Sequence, residues 1–214
     1  MNLRVPSRLT IGIAVVVVAF GTYAHAGPPL ICHHIEIGNA KSLPPIDWHQ
    51  NDTGGYNLKN LSGDTLGLLQ SNTPVLVRME TLRRAAIYAR HSPQVAKELL
   101  TRLHARAADS DAAGRTDALA WFDVGYLAET YKQWIGKAES NPAAGADGYA
   151  WVKRAIRLRG EDAEMEFAAA LITLSGPEGA HKDHVRKAIA GAKSDPLLAQ
   201  NLAASFNGET ISEL

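Results

Sequence analysis

The chain has 214 residues, 22 Lys and Arg balanced by 22 Asp and Glu, one cysteine and 46% hydrophobic residues. That length allows one domain, or one with a small appendage, and the composition is that of a folding chain rather than a disordered one. Formal neutrality argues against nucleic acid as a partner, and one cysteine excludes an internal disulfide framework.

Residues 1–26 carry the three parts of a secretory signal. Arg4 and Arg8 give a positive start with no acidic residue nearby, and 9–20 form the apolar centre. Ala24-His25-Ala26 then places small residues where a signal peptidase reads, so cleavage is expected before Gly27. The apolar run is well short of the ~20 residues that span a bilayer as a helix. Ile31 ahead of Cys32 is too large for a lipoprotein signal. The expected product is exported, periplasmic or extracellular, without a membrane span. It retains 188 residues with a net charge of −2.

Residues 27–72 read as an irregular lead-in. Gly27-Pro28-Pro29, Gly38-Asn39, Pro44-Pro45 and Asn51-Asp52-Thr53-Gly54-Gly55 break it repeatedly. A short helix is expected over 65–70, with Asp64 as its cap. Within the lead-in, Cys32-His33-His34-Ile35-Glu36 is the one concentrated patch of chemistry. If extended, alternation places Cys32, His34 and Glu36 on one face and Ile31, His33, Ile35 and Ile37 on the other. Thiolate, imidazole and carboxylate suit a borderline-soft ion such as Zn or Cu, and His49 offers a fourth ligand after the Pro44-Pro45 turn. The competing reading is structural: the isoleucine face docks on the helical body and Cys32 is covered with it. A third use of a lone exported cysteine is a disulfide-linked homodimer.

Residues 73–207 read as all-α, and 208–214 as a tail. Over 81–205 there are 29 alanines, the best helix former, and helix starts recur as a capping side chain followed by proline. Thr73-Pro74, Ser92-Pro93, Asn141-Pro142 and Asp195-Pro196 fit, and Thr116-Asp117 opens a further helix. Seven helices are expected, carrying apolar stripes such as Val75, Met79, Leu82, Ala86 and Leu198, Leu202, Phe206. The helix near 117–137 is apolar on several faces and should be central. Short breaks favour antiparallel hairpins. Arg83-Arg84 and Lys153-Arg154-Arg157-Arg159 read as solvated helix faces, as do His181 and His184 among their charged neighbours. Glu161, Asp162, Glu164 and Glu166 complement a helix start rather than forming an acid/base pair.

Trp121, Val124 and Gly125 fall on the first positions of the W-x2-L-G-x2-Y signature, with Ala128 where tyrosine belongs. Residues 155–165 look like the junction between two repeats, with Gly160 in place of the usual proline. On these residues the chain over about 75–206 resembles tetratricopeptide repeats, although its two registers lie 45 residues apart rather than 34. The resemblance implies a right-handed solenoid, against the alternative of a compact bundle, and a groove that binds a protein or peptide. Trp121, Tyr126, Tyr131, Trp134, Tyr149 and Trp151 are the candidates to line it. The stretch from Gly27 to Pro44 also looks like the start of a secreted bacterial family of unknown role. Without a complete catalytic constellation, the expected function is non-enzymatic partner binding. The alternative is a metal-binding or redox accessory protein built on Cys32, His34, Glu36 and His49.

Overall fold

In the computed structural model the described residues are 29–134, 141–160, 162–175 and 178–206. The expected secretory segment and its cleavage point, Glu161 and the expected tail lie outside them. The described chain is all-α, with no strand. After the short helix α1 (Pro29–Cys32), residues 33–57 run without helix. A 3-10 turn at Leu58–Asn60 then leads into α2 (Leu61–Leu68), α3 (Val75–Ala89), α4 (Pro93–Ala112) and α5 (Ala118–Trp134). Beyond them come α6 (Gly148–Arg159), α7 (Ala163–Thr173), α8 (Glu178–Ala192) and α9 (Pro196–Ser205).

Where the expected cap is local, the helix starts as expected. Asp117 accepts from the Leu119 and Ala120 amides at 2.9 and 3.1 Å, and Asp195 from those of Leu197 and Leu198 at 3.0 Å each. Ser92 precedes Pro93 and accepts from Val95 N at 3.4 Å. Three expected starts differ. Asn141-Pro142 opens a turn, because Asn141 accepts from the nearby Ala143 amide while its own amide donates to Tyr131 O; α6 begins only at Gly148, capped by Asp147. Thr73 turns its hydroxyl back to Leu68 O, and the exposed amide of Leu76 is met instead by Glu164 of α7 at 3.2 Å. The helix expected behind Asp64 starts earlier, at Leu61, and Asp64 accepts from the Tyr56 hydroxyl at 2.6 Å.

Two antiparallel hairpins, α5–α6 and α7–α8, form the second half. Each rests on a missing side chain at the crossing. A Cβ on Gly125 would lie 2.7 Å from Gly148 O, and one on Gly148 would lie 2.5 Å from Gly125 O. Only glycine permits so close an approach of two helix backbones. In α7–α8 a Cβ on Gly191 would collide with that of Ala163. The hairpins begin at Ala118 and Ala163, the two starts marked out by the repeat-like registers.

Helix α5 is central, as expected. Helix α3 is more so: every residue from Val75 to Ala89 is buried, including Arg78, Glu80, Arg83 and Arg84. This overturns the reading of Arg83-Arg84 as a solvated face, since they are 5% and 8% exposed. The irregular segment covers them. Ile31, Ile35, Ile37, Leu43 and Ile46 are buried in the common core, so the isoleucine face does dock. No described helix is long and apolar enough to cross a membrane.

Candidate functional site

An irregular segment laid on a helix leaves carbonyls that no ladder satisfies, and buried unpaired carbonyls are costly. Here α3 supplies the donors. Arg83 donates to Ile31 O at 2.8 Å, Arg84 to Leu43 O at 2.5 Å and Arg90, at the end of α3, to Trp48 O at 2.8 Å. The Ser42 and Thr81 hydroxyls meet at 2.9 Å. From the far end of the chain, Asn201 of α9 pairs with the Glu36 backbone in both directions, accepting from its N at 2.8 Å and donating to its O at 2.9 Å.

Glu80 is the hub. Its carboxylate, fully buried, receives five hydrogen bonds: two from Arg83, and one each from Arg84 Nε, His34 Nδ1 and Ile35 N, at 2.6 to 3.1 Å. Burial alone pushes its pKa up, but the hydrogen bonds from Arg83 and His34 outweigh it and hold the carboxyl at about 2. The same hydrogen bond raises the pKa of His34.

Beside this hub opens a cleft of about 490 Å³ lined by Cys32, His34, Trp48, His49, Glu80 and Arg84. Three of the four expected metal ligands therefore share one cleft. The fourth, Glu36, places Oε1 3.6 Å from His34 Nε2, and both side chains are about half exposed. Cys32 is a partly covered free thiol whose pKa burial raises, against the pull of Arg83. Among the described residues no three His, Cys, Asp or Glu side chains already stand within reach of one ion. Glu80 escaped sequence reasoning because its partners lie 45 and 46 residues away at Ile35 and His34.

The expected partner-binding aromatics separate into two sets. Tyr126 and Tyr131 are wholly buried and present no surface. The side chain of Trp134 lies outside what is described. Trp121, nearly buried, forms the floor of a ring cluster with half-buried Trp151 and exposed His104, centroids 5.3 to 6.1 Å apart. Arg154 stacks over Trp121 at 4.2 Å, and both it and the Trp121 indole donate to Asp111, at 2.7 and 3.2 Å. Trp151, Arg154 and Leu158 recur at helical spacing on one face of α6, and Leu158 is 47% exposed. Arg159 pairs with Asp162, while Lys153 and Arg157 are exposed.

Tyr149 belongs to a different group. Its hydroxyl meets His184 Nε2 at 2.8 Å, and the other ring nitrogen of His184 is held by Glu166, which also takes Lys187 at 3.2 Å. His184 is thus buried and engaged on both nitrogens, not solvated as its charged neighbours suggested. His181 bonds Ala170 O at 3.0 Å, and burial lowers its pKa.

A second cleft, of about 510 Å³, opens where the N-termini of α3, α7 and α9 converge. Asp162 and Asp195 cap α7 and α9, as expected, while Glu164 unexpectedly caps α3. Burial and its two acidic neighbours raise the Glu164 pKa.

Compared with protein-family models, curated proteins and solved structures, the chain matches none at a significant level.

Proposed function

We propose that this chain is an exported, non-enzymatic helical scaffold that binds an acidic protein or peptide segment across the face shared by α4 and α6. The observation that carries this reading is the ring cluster of His104, Trp121 and Trp151 continued by Arg154 and Leu158. Trp and Arg anchor interfaces because they remove large areas from water while keeping a polar handle. Helix α6 carries four basic residues and no acidic one; Arg154 and Arg159 are paired with Asp111 and Asp162, and exposed Lys153 and Arg157 favour an acidic ligand with apolar or aromatic anchors. The two hairpins support a repeat-like array that presents this face. A non-catalytic role is supported by where the buried charges go: Glu80, Arg83 and Arg84 bind one another, His34 and backbone groups.

The test is a selection from a random displayed-peptide library on chain lacking residues 1–26. Enrichment of acidic peptides with apolar anchors is expected, weakened by salt and lost in the double variant Trp151→Ala, Leu158→Ser. No enriched class, or equal capture by that variant, overturns the reading.

A further inference from the structure

The Glu80 cleft has features that peptide binding on α6 does not use. His34 and Glu36 are two residues apart in a stretch without helix, and their side chains leave it on the same side. The His34 Nε2 and Glu36 Oε1 atoms face each other 3.6 Å apart. Two ligands on one tetrahedral Zn²⁺, with bonds of about 2.0 to 2.2 Å, stand about 3.4 Å apart. A shift of a few tenths of an ångström therefore turns this pair into a chelate.

The pair is held from behind. A ligating histidine almost always donates its other ring N–H to a carboxylate, which fixes the tautomer and orients the ring. Buried Glu80 does this at His34 Nδ1, at 3.0 Å, and leaves Nε2 to face Glu36. The backbone on either side is pinned: Ile35 N donates to Glu80 Oε2 at 3.1 Å, Asn201 holds the Glu36 peptide, and Ile35 and Ile37 are buried. A solvated His-x-Glu needs none of these constraints. Cys32 and His49 line the same cleft and add a thiol and a second imidazole.

We infer that His34 Nε2 and the Glu36 carboxylate seat a divalent cation of the zinc class, with Cys32 and His49 as the source of its remaining ligands. Binding exchanges any proton on His34 Nε2, and that of Cys32 when it ligates, for the ion, with no change in oxidation state. The donor set disfavours Mg²⁺ and Ca²⁺, which take oxygen ligands.

Titration of the untagged chain lacking residues 1–26 with Zn²⁺, against a chromophoric chelator, tests this. One equivalent is expected to bind, with Mg²⁺ unable to displace it. His34→Ala should abolish binding, and Glu36→Gln should weaken it at least about 10-fold. Both side chains are about half exposed, so these variants keep the fold, checked by far-UV circular dichroism. Glu80→Gln should weaken binding by about 10- to 100-fold, the loss usual for removing the carboxylate behind a ligating histidine. Co²⁺ in place of Zn²⁺ should show a thiolate charge-transfer band that Cys32→Ser removes. Absence of Zn²⁺ binding, or binding by His34→Ala and Glu36→Gln equal to that of the parent chain, overturns the inference. So does displacement of Zn²⁺ by Mg²⁺.

Discussion

The irregular segment over α3 and the hairpin α5–α6 solve the same problem by opposite means. The segment has no regular backbone pairing, so its carbonyls are met by Arg83, Arg84 and Arg90, and its amides by Glu80 and Asn201. The hairpin meets most of its backbone within its own helices, with Glu129 taking the Tyr149 amide at 2.9 Å, and is set by how closely the two helices approach at Gly125 and Gly148. One interface is directional, charged and sensitive to pH. The other is chiefly steric. The polar solution sits beside the cleft, because groups that orient a backbone also orient the side chains on it.

The largest separation between the two should come from Glu80→Leu. Removing one member of a buried charged cluster leaves Arg83 and Arg84 without their counter-ion, a loss of about 4 kcal/mol. Urea unfolding should show a lower midpoint, and amide exchange should show residues 31–48 losing protection. Next is acid. The Glu80 carboxyl is at about 2 in the fold against an ordinary 4.5, so its contribution is fully present above about pH 4.5 and is lost as pH falls toward 2. At 1.36 kcal/mol per unit this is about 3 kcal/mol. Stability measured from pH 6 to 2.5 should fall, and less steeply in Glu80→Gln, whose amide does not titrate.

The hairpin should respond to size rather than to charge or pH. Gly125→Ala forces the α5 and α6 backbones apart and should cost about 2 kcal/mol at every pH. Gly145→Ala, with open space around it, should be neutral within about 0.5 kcal/mol in the same urea measurement. The smallest destabilisation expected is from Asn201→Leu. It removes both hydrogen bonds to Glu36 and should cost about 1 to 2 kcal/mol. Its trace in amide exchange should be confined to the residues around Glu36.

How much of this was legible in the sequence follows the range of the interactions. Caps at Asp117 and Asp195 act within three residues, so local spacing shows them. Gly125 stood out because it falls on a repeat signature position, whereas Gly148 carries no such mark, although each is small for the sake of the other. Cys32, His34 and His49 could be nominated as a group because their chemistry is adjacent in sequence or separated by one turn. Glu80 could not. On α3 the residues Arg78, Glu80, Arg83 and Arg84 look like the charged face of a surface helix, and only the cover provided by 31–48 makes them interior. The same blindness applied to Glu164 at the start of α3, and to His184, whose partners Tyr149 and Glu166 lie 35 and 18 residues away.

The pairing of Asn201 with the Glu36 backbone spans 165 residues, nearly the whole described chain. A contact of that range closes a very long loop, and the entropy of closing it must be met by contacts already in place. The order of assembly follows. The hairpins form from neighbours in sequence, while the segment that carries His34 and Glu36 acquires its final clasp only once α9 has been made and has docked. During synthesis, that face is the last part of the molecule to mature.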